Sequence, residues 1–156
     1  MGFTRTPLGD SDFYLQTLYK DRFVIALPVD HARVKQPKLR LRDFADDGFI
    51  LFSRAQGAAI YDGIIASCAQ AGFNPRVAQE GSGVQTILAL VAAGLGVALV
   101  PAALRHMQRP GVIYRELPAT DTKETELSLV WRKDDRSPLV EAFVKVAREA
   151  ARDFTG

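Results

Sequence analysis

Apolar residues fall along this chain in two rhythms, and the switch between them predicts the elements. Phe23-Val24-Ile25-Ala26-Leu27, Phe49-Ile50-Leu51-Phe52 and Val97-Ala98-Leu99-Val100 are unbroken apolar runs of strand length. Such runs suit a sheet covered on both faces, where neither set of alternating side chains meets water. Between the runs the period lengthens. Ile60, Ile64, Ile65 and Cys68 share one face of a helix predicted over residues 58–71 and closed by Gly72. From Val84 to Ala93 there is no Gly, Pro or charged residue, and Ile87, Leu88, Leu90, Val91 and Leu95 cover most of a helical circumference. That helix is expected to be buried on more than one side. Gly94 and Gly96 stop it, because glycine accepts the left-handed backbone of a helix C-terminus.

The weaker signals fill in the order. Gly2 to Pro7 reads as the end of a strand entering a loop, and Arg76-Val77-Ala78-Gln79 as a strand after the Asn74-Pro75 turn. Ala102 to Met107 is a short helix, while Val112–Leu117 and Leu127–Trp131 are strands. Ser137 and Pro138 are an N-cap and a first helical residue, with Leu139, Ala142, Phe143, Val146, Ala147 and Ala150 as the predicted apolar stripe. Strands alternate with helices, so the class is α/β with a mainly parallel, Rossmann-like sheet.

Composition narrows the function. A chain of 156 residues, 47% hydrophobic and 24% charged, can build one globular core. Its 20 basic residues are scattered and nearly balanced by 18 acidic ones, so no stripe for nucleic-acid phosphates stands out. A single cysteine, Cys68, excludes an internal disulfide and a cysteine-rich metal site, and is read as a small buried hydrophobe. No secretory signal and no long apolar span is read, so the expectation is a cytoplasmic protein without a membrane partner.

Candidate chemistry gathers on three loops that leave strand ends, where ligands bind in open α/β sheets. The first is Ser53–Gly57 with Arg54 and Gln56. The second is Glu80-Gly81-Ser82-Gly83, and the third follows Val100 at Pro101. Ser82 followed three residues later by Gln85 has capping-box spacing. The helix it would open turns its dipole and free N–H groups toward the cleft, which favours an anion. Arg54 can hold a carboxylate through two parallel hydrogen bonds, with Glu80 as the nearest acidic counterweight. Enzyme motifs are lacking. Gly81-x-Gly83-x-x-Thr86 is a partial dinucleotide fingerprint whose third glycine is replaced, and the acidic position near Val100 is apolar. His31 and His106 are the only histidines, and no nucleophile–base pair is suggested. The reading is no enzyme and no cofactor.

The stretch VQTILALVAAGLGVALVP, residues 84–101, resembles the hallmark of the effector-binding domain of LysR-type transcriptional regulators. Gly2-Phe3-Thr4-Arg5-Thr6-Pro7 is similar to the family's G-F-x-R-x-P element, and RFVIALP with His31 to its crossing strand. The resemblance implies a fold like that of periplasmic solute-binding proteins, two α/β subdomains with an inducer between them. Residues 26–117 would be the complete second subdomain, and 1–25 with 118–156 part of the first. It implies a small, anionic inducer, an organic acid or aromatic metabolite, with Thr4 and Arg5 facing the cleft from the first subdomain. It also implies a homo-oligomer, a dimer that becomes a tetramer in the full-length regulator. DNA would be bound only through a winged helix-turn-helix that this chain lacks, so the chain reads as a piece of a regulator. The rival is a stand-alone solute-binding protein of the same fold.

Overall fold

In the computed structural model, which describes residues 1–5 and 12–152, the strands form one three-stranded sheet and a second sheet made of a three-stranded and a two-stranded part. The first joins β1 (Gly2–Thr4), β2 (Phe13–Asp21) and β8 (Thr125–Arg132) in the order β1-β8-β2, with both pairings antiparallel. The second is built from β3 (Phe23–Pro28), β4 (Gly48–Phe52), β5 (Arg76–Gly81), β6 (Ala98–Pro101) and β7 (Val112–Arg115). Here β3 lies between β6 and β7, antiparallel to both, while β4 pairs parallel with β5. A parallel bridge between Phe49 and Val97 joins the two parts. Its hydrogen bonds run from the Ile50 N–H to the Val97 carbonyl and from the Val97 N–H to the Gly48 carbonyl, both 2.8 Å.

The class is α/β, and the sheets are mixed where the alternation of elements predicts a mainly parallel one. Helical crossovers lie between β4, β5 and β6, which run parallel. β3 instead enters the second sheet directly from β2, after Arg22 alone, and so runs against its neighbours. The chain from Phe13 to Pro28 is thus two strands, one in each sheet.

Core side chains fall on both faces of the second sheet. Phe23, Ile25 and Leu27 join Phe49, Leu51, Ile64, Cys68 and Leu99 on one face. Val24 and Ala26 join Ile50, Ile87, Leu88, Val91 and Val100 on the other. This is the arrangement expected of continuous apolar strands, whose period of two supplies both layers. Helix α1 (Arg54–Gln70) covers the first face and α2 (Val84–Ala92) the second. Cys68 is fully buried, and desolvation pushes its thiol up to about 12. Gly96 sits where a Cβ would run into the Gly48 carbonyl oxygen, so the turn into β6 needs glycine.

Two expectations about helices change. The N-cap of α2 is Gly83, and no side chain caps it. Ser82 therefore precedes the cap and Gln85 is the second helical residue, so the reciprocal bonds of a capping box cannot form. Helix α3 (Pro138–Arg152) starts as expected, with the Leu139 N–H donating to the Ser137 hydroxyl at 3.3 Å. Its buried residues are Val140 and Ala151, whereas Leu139, Phe143 and Val146 are exposed. The helix is rolled so that the predicted stripe is largely turned from the sheet. Phe143 keeps one aromatic contact, with Phe3 of β1 at 6.1 Å between ring centroids.

Candidate functional site

Parallel strands deliver their loops to one rim. Phe52 pairs with Gly81 at the ends of β4 and β5, and the Phe49–Val97 bridge sets β6 parallel beside them. The loops at Ser53, Gly81–Gly83 and Pro101 therefore leave the sheet on the same side. The Ser53 N–H donates to the Gly81 carbonyl at 3.0 Å, stitching the first two together. Gly81 is buried, and a Cβ there would come within 2.9 Å of Ile87 Cγ1, so glycine lets α2 begin tight against β5. Val100 and Pro101 are buried in the sheet, and Pro101 pairs with Phe23.

Arg54 differs from its expected role as a loop cation. It is the first residue of α1, and its guanidinium binds Asp62 of the same helix through Nε–Oδ1 at 2.9 Å and Nη2–Oδ2 at 3.2 Å. Its acidic partner is thus Asp62 and not Glu80, and these hydrogen bonds hold the Asp62 carboxyl below the usual carboxylate range. The pairing depends on Gly57, whose backbone is non-helical and breaks α1 after its first turn. Gln56 lies in that exposed turn, its N–H bonded to the Ser53 carbonyl at 3.0 Å.

Arg5 carries the more distinctive environment. It follows Thr4, which pairs with Ser128 at the end of β1. Its Nη2 lies 3.5 Å from the Tyr19 hydroxyl and 3.6 Å from Asp21 Oδ2, and its side chain is only 16% exposed. Nη1 is buried and finds no hydrogen-bond partner among the described residues. Such a group is costly to leave unmade and marks a place for an acceptor. Arg5 lines a cavity of about 290 Å³ with Leu15, Ala59, Thr125, Glu126 and Ser128. Asp21 ties this cavity to the Pro101 turn, because its Oδ2 also accepts the Ala103 N–H at 3.2 Å.

The structure therefore unites Arg5 with the Pro101 turn through Asp21, and Ser53 with Gly81 by a direct bond. Neither Arg54 nor Ser82 lines the Arg5 cavity. Asp21, Ala59, Thr125 and Ser128 escape sequence reasoning. The available signal was an acidic residue at the foot of a strand, Asp21, next to a change of sheet. Thr6 and Pro7 of the motif lie outside the described residues. A larger hollow of about 820 Å³ lies elsewhere, between α3 and the Tyr14–Trp131 pair, and receives none of the converging strand ends.

Comparison with known proteins resolves the family. The model of the LysR substrate binding domain matches residues 1–152. The chain belongs to the LysR family of transcriptional regulators. Among curated relatives, the HTH-type transcriptional regulator CatR of Pseudomonas putida is 31% identical over 151 residues, 97% of this chain and 52% of CatR. The chain spans about half the length of the curated LysR relatives it matches. The fold agrees with solved LysR domains. The BenM effector-binding domain with its effector benzoate matches 99% of this chain and 70% of its own, at TM-score 0.79 and 23% identity. The effector-binding domain of QuiR in complex with shikimate matches 97% of this chain and 71% of its own, at TM-score 0.80 and 19% identity. The periplasmic-binding-protein-like fold expected of a LysR effector domain is the fold observed.

Proposed function

We propose that this LysR-type effector domain senses a small organic acid or aromatic metabolite held between its two sheets, and thereby controls transcription. The observation that carries the reading is Arg5, a buried arginine with one unpartnered terminal nitrogen lining a cavity beside converging strand ends. The second sheet with α1 and α2 is one wall, and the first sheet is the other. Thr4 and Arg5 belong to the wall of the first sheet, and the loops bearing Ser53, Arg54, Gln56, Glu80, Gly81, Ser82, Gly83 and Pro101 leave that of the second. Benzoate and shikimate, bound by two structural neighbours, are both ring-bearing carboxylates and support an acid of that size. The named relatives are regulators, which favours this reading over a stand-alone solute-binding protein. DNA is contacted through a winged helix-turn-helix elsewhere in the full-length regulator, which is cytoplasmic and oligomeric. No helix among the described residues is long and apolar enough to cross a membrane.

Arg5 contributes the larger share of anion binding. A hydrogen bond to a charged group is worth about 1.5–3 kcal/mol, against about 0.3–1 kcal/mol for the first turn of α2. Arg54 must first leave Asp62, so its share is smaller. Titration calorimetry with benzoate and shikimate tests this: Arg5→Met should weaken binding at least about tenfold, since about 1.4 kcal/mol is one decade. Unchanged affinity in a folded Arg5→Met, or no heat with either acid in the wild type, counts against an acid at Arg5.

A further inference from the structure

Asp21 stands where the first sheet hands the chain to the second, and its carboxylate is 8% exposed. Oδ1 is held locally, accepting the Arg22 N–H at 2.9 Å. Oδ2 faces two donors from different parts of the molecule. One is the Arg5 guanidinium at 3.6 Å, the other the backbone N–H of Ala103, in the turn that follows β6, at 3.2 Å. Charge-assisted N–H···O bonds settle near 2.7–2.9 Å and neutral ones near 2.9–3.0 Å. The Arg5 contact, at 3.6 Å, is an ion pair longer than a hydrogen bond, and the Ala103 N–H sits at the long end of the usual range, so one oxygen serves both. The same guanidinium keeps a buried, unpartnered Nη1, and Arg5 lines the cavity.

We propose that Asp21 is a competitive latch: a carboxylate bound at Arg5 draws the guanidinium away from Oδ2, which then closes on the Ala103 N–H. Occupation of the cavity is thereby converted into a tighter link between the end of β2 and the turn after β6. The inference rests on the reading of an acid at Arg5, and it assigns Asp21 as the positioning residue through which that acid is felt. Two anions compete for one guanidinium, and the loser takes the backbone donor. The carboxylates of Glu124 and Glu126, also on the cavity, are bridged by Lys20 at 3.6 Å each and do not reach Oδ2's donors in this arrangement.

The competition fixes signs that simple positioning would not. Asp21→Asn keeps an oxygen for the Ala103 N–H and removes the charge that holds Arg5. Benzoate affinity, measured by calorimetry, should then rise about threefold, a shift of roughly half a decade. If Asp21 merely orients Arg5, affinity falls instead, and the latch is overturned. The second readout is the Ala103 amide in an assigned NMR spectrum of the chain. Saturating benzoate should move its proton downfield and slow its exchange by about threefold or more, and this response should vanish in Asp21→Asn. A ligand-free arm stands apart from benzoate. Arg5→Met alone should reproduce the slowed Ala103 exchange, and Arg5→Lys, which restores a cation, should return it toward wild type. Arg5→Met that leaves Ala103 unchanged overturns the latch. If benzoate perturbs nothing in the wild type, the acid-at-Arg5 reading fails, while the ligand-free arm still decides the latch.

Discussion

The two sheets of this domain are held together by different means. Every residue of β3 is buried, and the second sheet carries apolar layers on both faces, with α1 and α2 as covers. In the first sheet the buried residues are few, and several are polar: Asp21, Thr125 and Ser128 beside Leu129. Phe3, Tyr14 and Leu15 on its strands, and Leu139, Phe143 and Val146 on α3, stay exposed. Burial of apolar area is the main stabilising term, so the second sheet should be the stable half of the molecule. The first sheet rests more on its hydrogen bonds and lies next to the site. Regions that must respond to a ligand are drawn from the less stable end of a structure.

The sharpest way to break this contrast is to hollow the second sheet. Phe49→Ala, at a fully buried ring, should cost about 3–5 kcal/mol, and urea unfolding followed by circular dichroism should show the midpoint fall accordingly. A loss below about 1 kcal/mol would mean that the second sheet is not the stable half. A middle-sized effect is expected at Asp121, which joins the chain between the sheets to the turn at Leu41. Its carboxylate takes the Leu41 N–H at 2.8 Å and two nitrogens of Arg40, with the closest contact at 2.6 Å. Asp121→Ala should cost about 1–3 kcal/mol, the penalty of leaving the buried N–H without its acceptor. The hydrogen bonds from Arg40 above all hold the Asp121 carboxyl below the usual carboxylate range. Its contribution is therefore present above the unfolded value, about 3.9, and is lost as pH falls through the lower folded value. The stability gap between wild type and Asp121→Asn should be flat from about pH 5 to 7 and close below about pH 4.

The smallest effect on folding should come from the exposed face. Phe143→Ser should change stability by about 1 kcal/mol or less while changing association. Apolar patches of this kind are contact surfaces, and we expect the wild type to scatter light as a dimer or larger species at micromolar concentration. A wild-type monomer, or a dimer indifferent to Phe143→Ser, would remove that role from the face.

Much of the second sheet was legible because its signals are local. Unbroken apolar runs and Gly72, Gly94 and Gly96 at helix ends each carry their own meaning, as Pro138 after Ser137 does for α3. The site was legible only in part. Thr4 and Arg5 came from a motif, and the shared rim followed from the parallel order of β4, β5 and β6. The Arg54–Asp62 pair was invisible, because eight residues of regular helix separate side chains by about 12 Å, and only the break at Gly57 brings them together. The roll of α3 was equally hidden. Its apolar arc is wide enough for two stripes, and sequence does not say which of them meets the sheet. Ser82 shows the limit of spacing rules, since a helix that starts one residue late undoes the pattern.

Strand β3 has a consequence for how faithfully the chain finds its own pairing. Hydropathy cannot align this strand, because all of its residues are equally at home away from water. Volume can. Phe23, Ile25 and Leu27 fill one side, whereas the other receives only Val24 and Ala26. A slip of one residue would exchange the two sets, driving an aromatic ring into a slot sized for valine and leaving a void opposite. The sequence thus encodes alignment as a difference in bulk, a message that a scale of greasiness cannot read.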